Sequence, residues 1–185
     1  TLVGQREHTG FFRVYREIVI DEGNIPDMCQ RFYEMMPEHR SEVWIYGDAT
    51  GTSRTSQYSQ SDYTVILNSM RQYGLPLKLK VPQKNPMVAD RINAVNRALR
   101  NEVGQSMVEI DLSCKELIED MEGVLIDPAG GIKKSRNKKE SYYRRTHTSD
   151  ALGYWIAYEA PVKSILAPGQ RKLKIRDPQY MWKSA

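Results

Sequence analysis

The run Val43-Trp44-Ile45-Tyr46-Gly47-Asp48-Ala49-Thr50-Gly51 is an apolar stretch that breaks off at a carboxylate set among small residues. A second carboxylate, Asp150, opens a helical pattern in Thr146-His147-Thr148-Ser149-Asp150-Ala151-Leu152-Gly153-Tyr154-Trp155. The two lie 102 positions apart in sequence (150 − 48). Ligand sites in open α/β sheets form outside the carboxyl ends of strands, so a strand-ending Asp48 can meet an acid from a helix start. Carboxylates with no histidine cluster suit hard, oxygen-seeking cations such as magnesium or manganese. Two such ions about 4 Å apart can activate water and stabilise the leaving oxygen of a phosphodiester. Ordinary roles compete. A strand-ending Asp is a common turn former, and an Asp at a helix start is a common partner of the helix dipole. Asp62 in a polar stretch and Asp90 at a helix start are further acidic candidates with the same ordinary alternatives. His147 reads first as a surface or capping residue.

Those side chains need a frame. The β-rich runs Leu2–Gln5 and Phe11–Ile20, joined by His8-Thr9-Gly10, predict a hairpin. A helix then opens at Asn24 or Pro26, carries Met28, Phe32, Met35 and Met36, and stops at Pro37. Val43–Tyr46 is apolar on both faces, as an inner parallel strand would be. The Ser/Thr/Gly-rich TGTSRTSQYSQSD reads as a loop. A helix from Tyr63 to Tyr73 follows, then a strand over Leu77–Val81 and an amphipathic helix over Asp90–Leu99. Met107–Ile110 is the next strand. Ser113 is placed to cap a helix with Glu116 at the capping-box position, and Thr148 or Ser149 to cap the helix that carries Asp150. Helices alternating with strands predict an α/β domain, a mixed sheet covered on both faces.

Charge is unevenly spread. Residues 131–185 hold 13 Lys+Arg against 4 Asp+Glu, and the other 130 residues hold 14 against 19. Such a split presents a basic surface to a polyanion. Its densest part, GIKKSRNKKESYYRR at 131–145, contains Lys133, Lys134, Arg136, Lys138, Lys139, Arg144 and Arg145. These read as phosphate contacts on a surface loop. The tail at 161–185 reads as a poorly ordered basic arm. Cys29 and Cys114 have no metal-site spacing and read as buried free thiols in a reducing cytosol. No run approaches the length of a membrane span, and the opening TLVGQREHTG lacks the features of a signal peptide.

Three stretches in this order, VWIYGDATGTSRTSQYSQSDY, NPMVADRINAVNRAL and KKS…THTSDALGYW, resemble the nuclease domain of the large terminase subunit of tailed bacteriophages. The resemblance spans roughly residues 1–160, with 161–185 as the tail. It implies a ribonuclease-H-like fold, similar to Holliday-junction resolvases, and a metal-dependent endonuclease that cuts concatemeric double-stranded DNA to begin and end packaging. It implies two magnesium or manganese ions held by three acids. Asp48 matches the second acid and Asp150 the third. The first belongs on a strand ahead of the hairpin, so the chain reads as starting after it. A second alignment makes Asp48 the first acid and Asp90 the second, but the hairpin and helix ahead of Asp48 favour the former. Asp90 and Arg91 then organise their helix or touch DNA. On this resemblance Gly47, Ala49 and Gly51 leave room for an ion and a phosphate. The implied partners are DNA, the portal protein and the small terminase subunit, in the host cell cytoplasm. A junction-specific resolvase and a non-catalytic DNA- or portal-docking module are the alternatives.

Overall fold

The computed structural model describes residues 1–55, 58–125, 132–133 and 146–162. The chain is mixed α/β, and its described residues include five α-helices and a small mixed sheet. It divides into two compact units. The first comprises Thr1 and Ile18–Asn85, the second Leu2–Glu17 with the chain from Pro86 onward.

In the second unit, β1 (Leu2–Arg6) and β2 (Phe12–Glu17) form the expected antiparallel hairpin. Gly10 takes a positive φ of 87° in the turn, which a glycine adopts without steric cost. β2 then pairs in parallel with β7 (Val108–Ile110), giving the order β1-β2-β7. Helices α3 (Val88–Leu99), α4 (Lys115–Gly123) and α5 (His147–Glu159) complete the unit, with α5 packed on both α3 and α4. Its core includes Phe12, Val14, Leu117, Leu152 and Ile156, all nearly or fully buried. Phe12 meets Trp155 edge to face, with ring centroids 5.2 Å apart.

Gly4 marks how closely the hairpin approaches α5. A Cβ there would collide with the Arg13 carbonyl and stand 2.7 Å from the Trp155 ring. The Arg13 carbonyl is backbone, so the strain cannot be relieved by a rotamer change. Gly4→Ala is expected to destabilise the protein by about 1–3 kcal/mol, the usual cost of overpacking, read as a lower urea midpoint at unchanged m-value.

In the first unit, α1 (Ile25–Met35) starts at the earlier of the two expected places, with Asn24 as its cap. The Asn24 side chain accepts from Asp27 N at 3.0 Å, and Asp27 returns the bond to Asn24 N at 2.9 Å. β3 (Val43–Tyr46) pairs in parallel with β6 (Leu77–Lys80). The stretch expected to be a loop is ordered differently. A 3₁₀ turn, Ala49–Thr52, leads into a short antiparallel pair, β4 (Arg54–Thr55) with β5 (Tyr58–Ser61). Polar strands this short have no apolar period to betray them. α2 (Asp62–Arg71) follows at once, capped by Ser61, and packs on α1. Tyr63, Met70, Cys29 and Phe32 are buried in this unit.

β3 is not the buried inner strand its composition predicts. None of its residues is buried, and Trp44 is 43% exposed. Among the described strands β6 is its sole partner. The described strands form three hydrogen-bonded groups rather than one continuous sheet.

Candidate functional site

Asp48 lies in the first unit, two residues past the end of β3. Its backbone is extended, and it caps the 3₁₀ turn. Its Oδ1 accepts from Thr50 N at 2.6 Å and from the Asn85 side-chain amide at 2.7 Å. Asn85 in turn accepts from Ala49 N at 2.7 Å, so one side chain binds both the carboxylate and the backbone after it. The carboxylate is therefore fixed in direction and half-buried. The flanking glycines serve a purpose other than the one expected. A Cβ at Gly47 would collide with the Tyr63 hydroxyl, and one at Gly51 would stand 2.9 Å from the Tyr63 ring. The space is taken by Tyr63, which donates to the Asp48 carbonyl at 2.7 Å. Asp62, one residue earlier, sits in the first turn of α2. Its carboxylate is placed where the helix dipole favours negative charge.

Asp150 lies in the second unit, in the first turn of α5. Its Oδ1 is 2.7 Å from Arg91 Nη2, and both side chains are largely buried, 15% and 7% exposed. The Arg91 guanidinium also stacks over the Tyr154 ring, 4.2 Å from its centroid. Gly153 makes this possible, because a Cβ there would crowd the Arg91 stem at 2.9 Å. Arg91 is thus a buried organiser tying α3 to α5, and burial takes it out of reach of DNA. Asp90 is in the first turn of α3, half-buried; that helix has no side-chain cap. His147 is the first residue of α5 and is exposed.

The helix that presents Asp150 is not capped by Thr148 or Ser149. Thr146 occupies the cap position with a φ of 108°, and its own side chain caps nothing. Asp120 on α4 does the work instead. This carboxylate, 2% exposed, accepts from Thr146 N, from Thr148 Oγ1 at 2.8 Å and from Ser149 N at 2.8 Å. α4 is held likewise. Ser113 bonds Asp111 rather than capping, while Glu17 on β2 accepts from Glu116 N and Leu117 N, each at 2.9 Å. Two carboxylates from neighbouring elements thus replace the local caps expected from the sequence. Sequence reading passed over both. The available signal was Asp120 falling at i+3 from Leu117 on the apolar face of α4.

Of the basic residues, Lys133 is exposed. Lys134, Arg136, Lys138, Lys139, Arg144, Arg145 and the 163–185 tail lie outside the described residues. Both cysteines are buried free thiols, and desolvation raises the Cys29 pKa to about 11, so it stays protonated near neutrality. No helix among the described residues is long and apolar enough to cross a membrane.

The donor chemistry at Asp48 and at Asp150 fits a hard divalent cation, since both offer carboxylate oxygens. Among the described residues no group of three or more His, Cys, Asp or Glu side chains is gathered to hold a metal. Comparison with known proteins gives no family model, curated protein or solved structure that matches the chain.

Proposed function

We propose that this chain is a metal-dependent DNA endonuclease domain of ribonuclease-H-like type, acting on double-stranded DNA in viral genome packaging. Asp48 and Asp150 are its metal-holding carboxylates. The observation that carries the reading is Asp48: a half-buried acid just past a parallel strand, with one oxygen pinned by Thr50 N–H and Asn85. A carboxylate oriented in this way loses little entropy on gripping a cation. The sequence resemblance and the order of hairpin, helix, strand and helix support the same reading.

Bound magnesium or manganese would supply positive charge beside the phosphodiester and a more acidic water. The chain's own residues do the positioning. Asn85 and Thr50 N–H direct Asp48. Arg91 directs Asp150 and offsets its charge. Asp120 fixes the helix turn from which Asp150 projects.

One observation favours a second reading, a DNA- or portal-docking module. The Arg91 pair and the Asp48 cap each give an aspartate a structural occupation. Manganese titration by calorimetry, run beside plasmid nicking, separates the two. The nuclease reading expects manganese binding in the wild type, nicking in the intact subunit where all three acids are present, and loss of both in Asp48→Asn. Nicking that survives Asp48→Asn removes Asp48 from the site. DNA binding without any manganese binding favours the docking module.

A further inference from the structure

A guanidinium is an odd neighbour for a carboxylate that holds a cation. Arg91 Nη2 nevertheless stands 2.7 Å from Asp150 Oδ1, and both side chains are largely buried. Arg91 cannot step aside at little cost. Its guanidinium lies over the Tyr154 ring, 4.2 Å from the centroid, and its stem fills the space that Gly153 leaves open. Its other terminal nitrogen, Nη1, is buried and has no hydrogen-bond partner among the described residues. A guanidinium held for its hydrogen bonds would not leave one end unused. What this one brings to Asp150 is a positive charge at a fixed place.

We infer that Arg91 sets the affinity of Asp150 for a divalent cation, holding it low until a DNA phosphate adjoins the site. The inference rests on the nuclease reading and concerns the regulation of that same site. Charge decides it. Asp150 and Arg91 sum to zero, so the pair draws a cation far less than a lone carboxylate does. A cation taken up by this carboxylate also shares it with the guanidinium. Repulsion between a double and a single positive charge on one small anion weakens binding about ten-fold even at the dielectric of bulk water, and more in a site this dry. The guanidinium meanwhile loses part of its counter-charge, which is costly for a buried ion. A phosphodiester nearby restores the balance, because its negative charge acts on cation and guanidinium alike without touching Arg91. Manganese and DNA then each raise the other's affinity by the same factor. A neutral side chain at position 91 removes the restraint, and lysine retains it.

The test is manganese titration into the full chain by calorimetry, beside anisotropy of a labelled DNA duplex in manganese or in EDTA. Arg91→Met is expected to bind manganese at least about ten-fold more tightly than the wild type. Arg91→Gln, neutral but polar, should show the same gain and serves if the methionine variant folds poorly. Arg91→Lys should stay close to the wild type. Adding Asp150→Asn to Arg91→Met should remove the gain. The wild type should bind the duplex more tightly in manganese than in EDTA, and Asp150→Asn should not. Circular dichroism checks that each variant is folded. A variant that merely loosened the fold would bind manganese more weakly, so a gain isolates the charge. If manganese binds but neither neutral variant binds it more tightly, the inference is overturned and the nuclease reading stands. A gain that survives Asp150→Asn, or duplex affinity indifferent to manganese, also overturns it. Absence of manganese binding in every variant, with or without DNA, sinks the nuclease reading and the inference together.

Discussion

In the intact subunit, Asp150→Asn is expected to abolish manganese-dependent nicking of plasmid DNA, a fall of at least a thousand-fold, while DNA affinity stays within about two-fold. An activity loss of this size corresponds to about 4 kcal/mol of transition-state stabilisation. Asparagine keeps the shape of the side chain and can still accept one bond from Arg91, so the first turn of α5 is retained. What disappears is the anionic charge that a hard cation requires. The complication is Arg91 itself, a guanidinium 6% exposed whose charge Asp150 offsets at 2.7 Å. Losing that offset costs about 1–3 kcal/mol, so the variant should unfold at lower urea. Lost activity could then be blamed on a weakened fold. The double variant, Arg91→Met with Asp150→Asn, resolves this. Replacing a buried ion pair by well-packed neutral groups is often near neutral for stability, so the double should recover the urea midpoint. On the nuclease reading it stays inactive. If the double variant cuts DNA, Asp150 is a counter-ion to Arg91 and not a metal ligand.

What the sequence disclosed is what local interactions decide. The hairpin, the start of α1 at Asn24 and the amphipathic stripe of α3 each depend on residues within a few positions, and each appears close to where it was expected. What it concealed depends on partners distant in the chain. Asp48 is oriented by Asn85, 37 residues on, and α4 is capped by Glu17, about 100 residues back. A Ser or Thr at a helix start is a fair local guess, but a carboxylate arriving from a neighbouring element satisfies two N–H groups at once and displaces it. Arg91, off the apolar stripe of α3, was open to two readings, organising its helix or touching DNA, and local sequence could not choose between them. Only the glycine at 153 and the acid at 150, on a different helix, make a dry place for it. The error at β3 has another origin. Four apolar residues imply burial, yet composition cannot say on which side a strand finds its neighbours. Here lysines opposite Trp44 hold its ring at the surface.

The largest stability effect should come from Asp120→Ala. Two backbone N–H groups and one hydroxyl converge on this carboxylate, which is itself 2% exposed. Removing it leaves three donors facing a methyl group in a site closed to bulk water. Each orphaned buried donor costs about 1–3 kcal/mol, and partial relaxation of the turn brings the total to about 3–5 kcal/mol. That is a large share of the stability of a domain this size, typically about 5–15 kcal/mol. The loss should exceed that of an ordinary cap, about 1 kcal/mol, because Asp120 also holds Thr146 at its φ of 108°, a conformation threonine does not adopt unaided. Asp120→Asn is the informative companion. Its amide keeps one accepting oxygen but turns the other into a donor aimed at donors, so it should recover only part of the loss. Urea denaturation of the three proteins gives the order wild type, Asn, Ala. If Asp120→Ala instead unfolds within about 1 kcal/mol of wild type, the start of α5 is held by something other than this carboxylate, and Asp120 is not what positions Asp150.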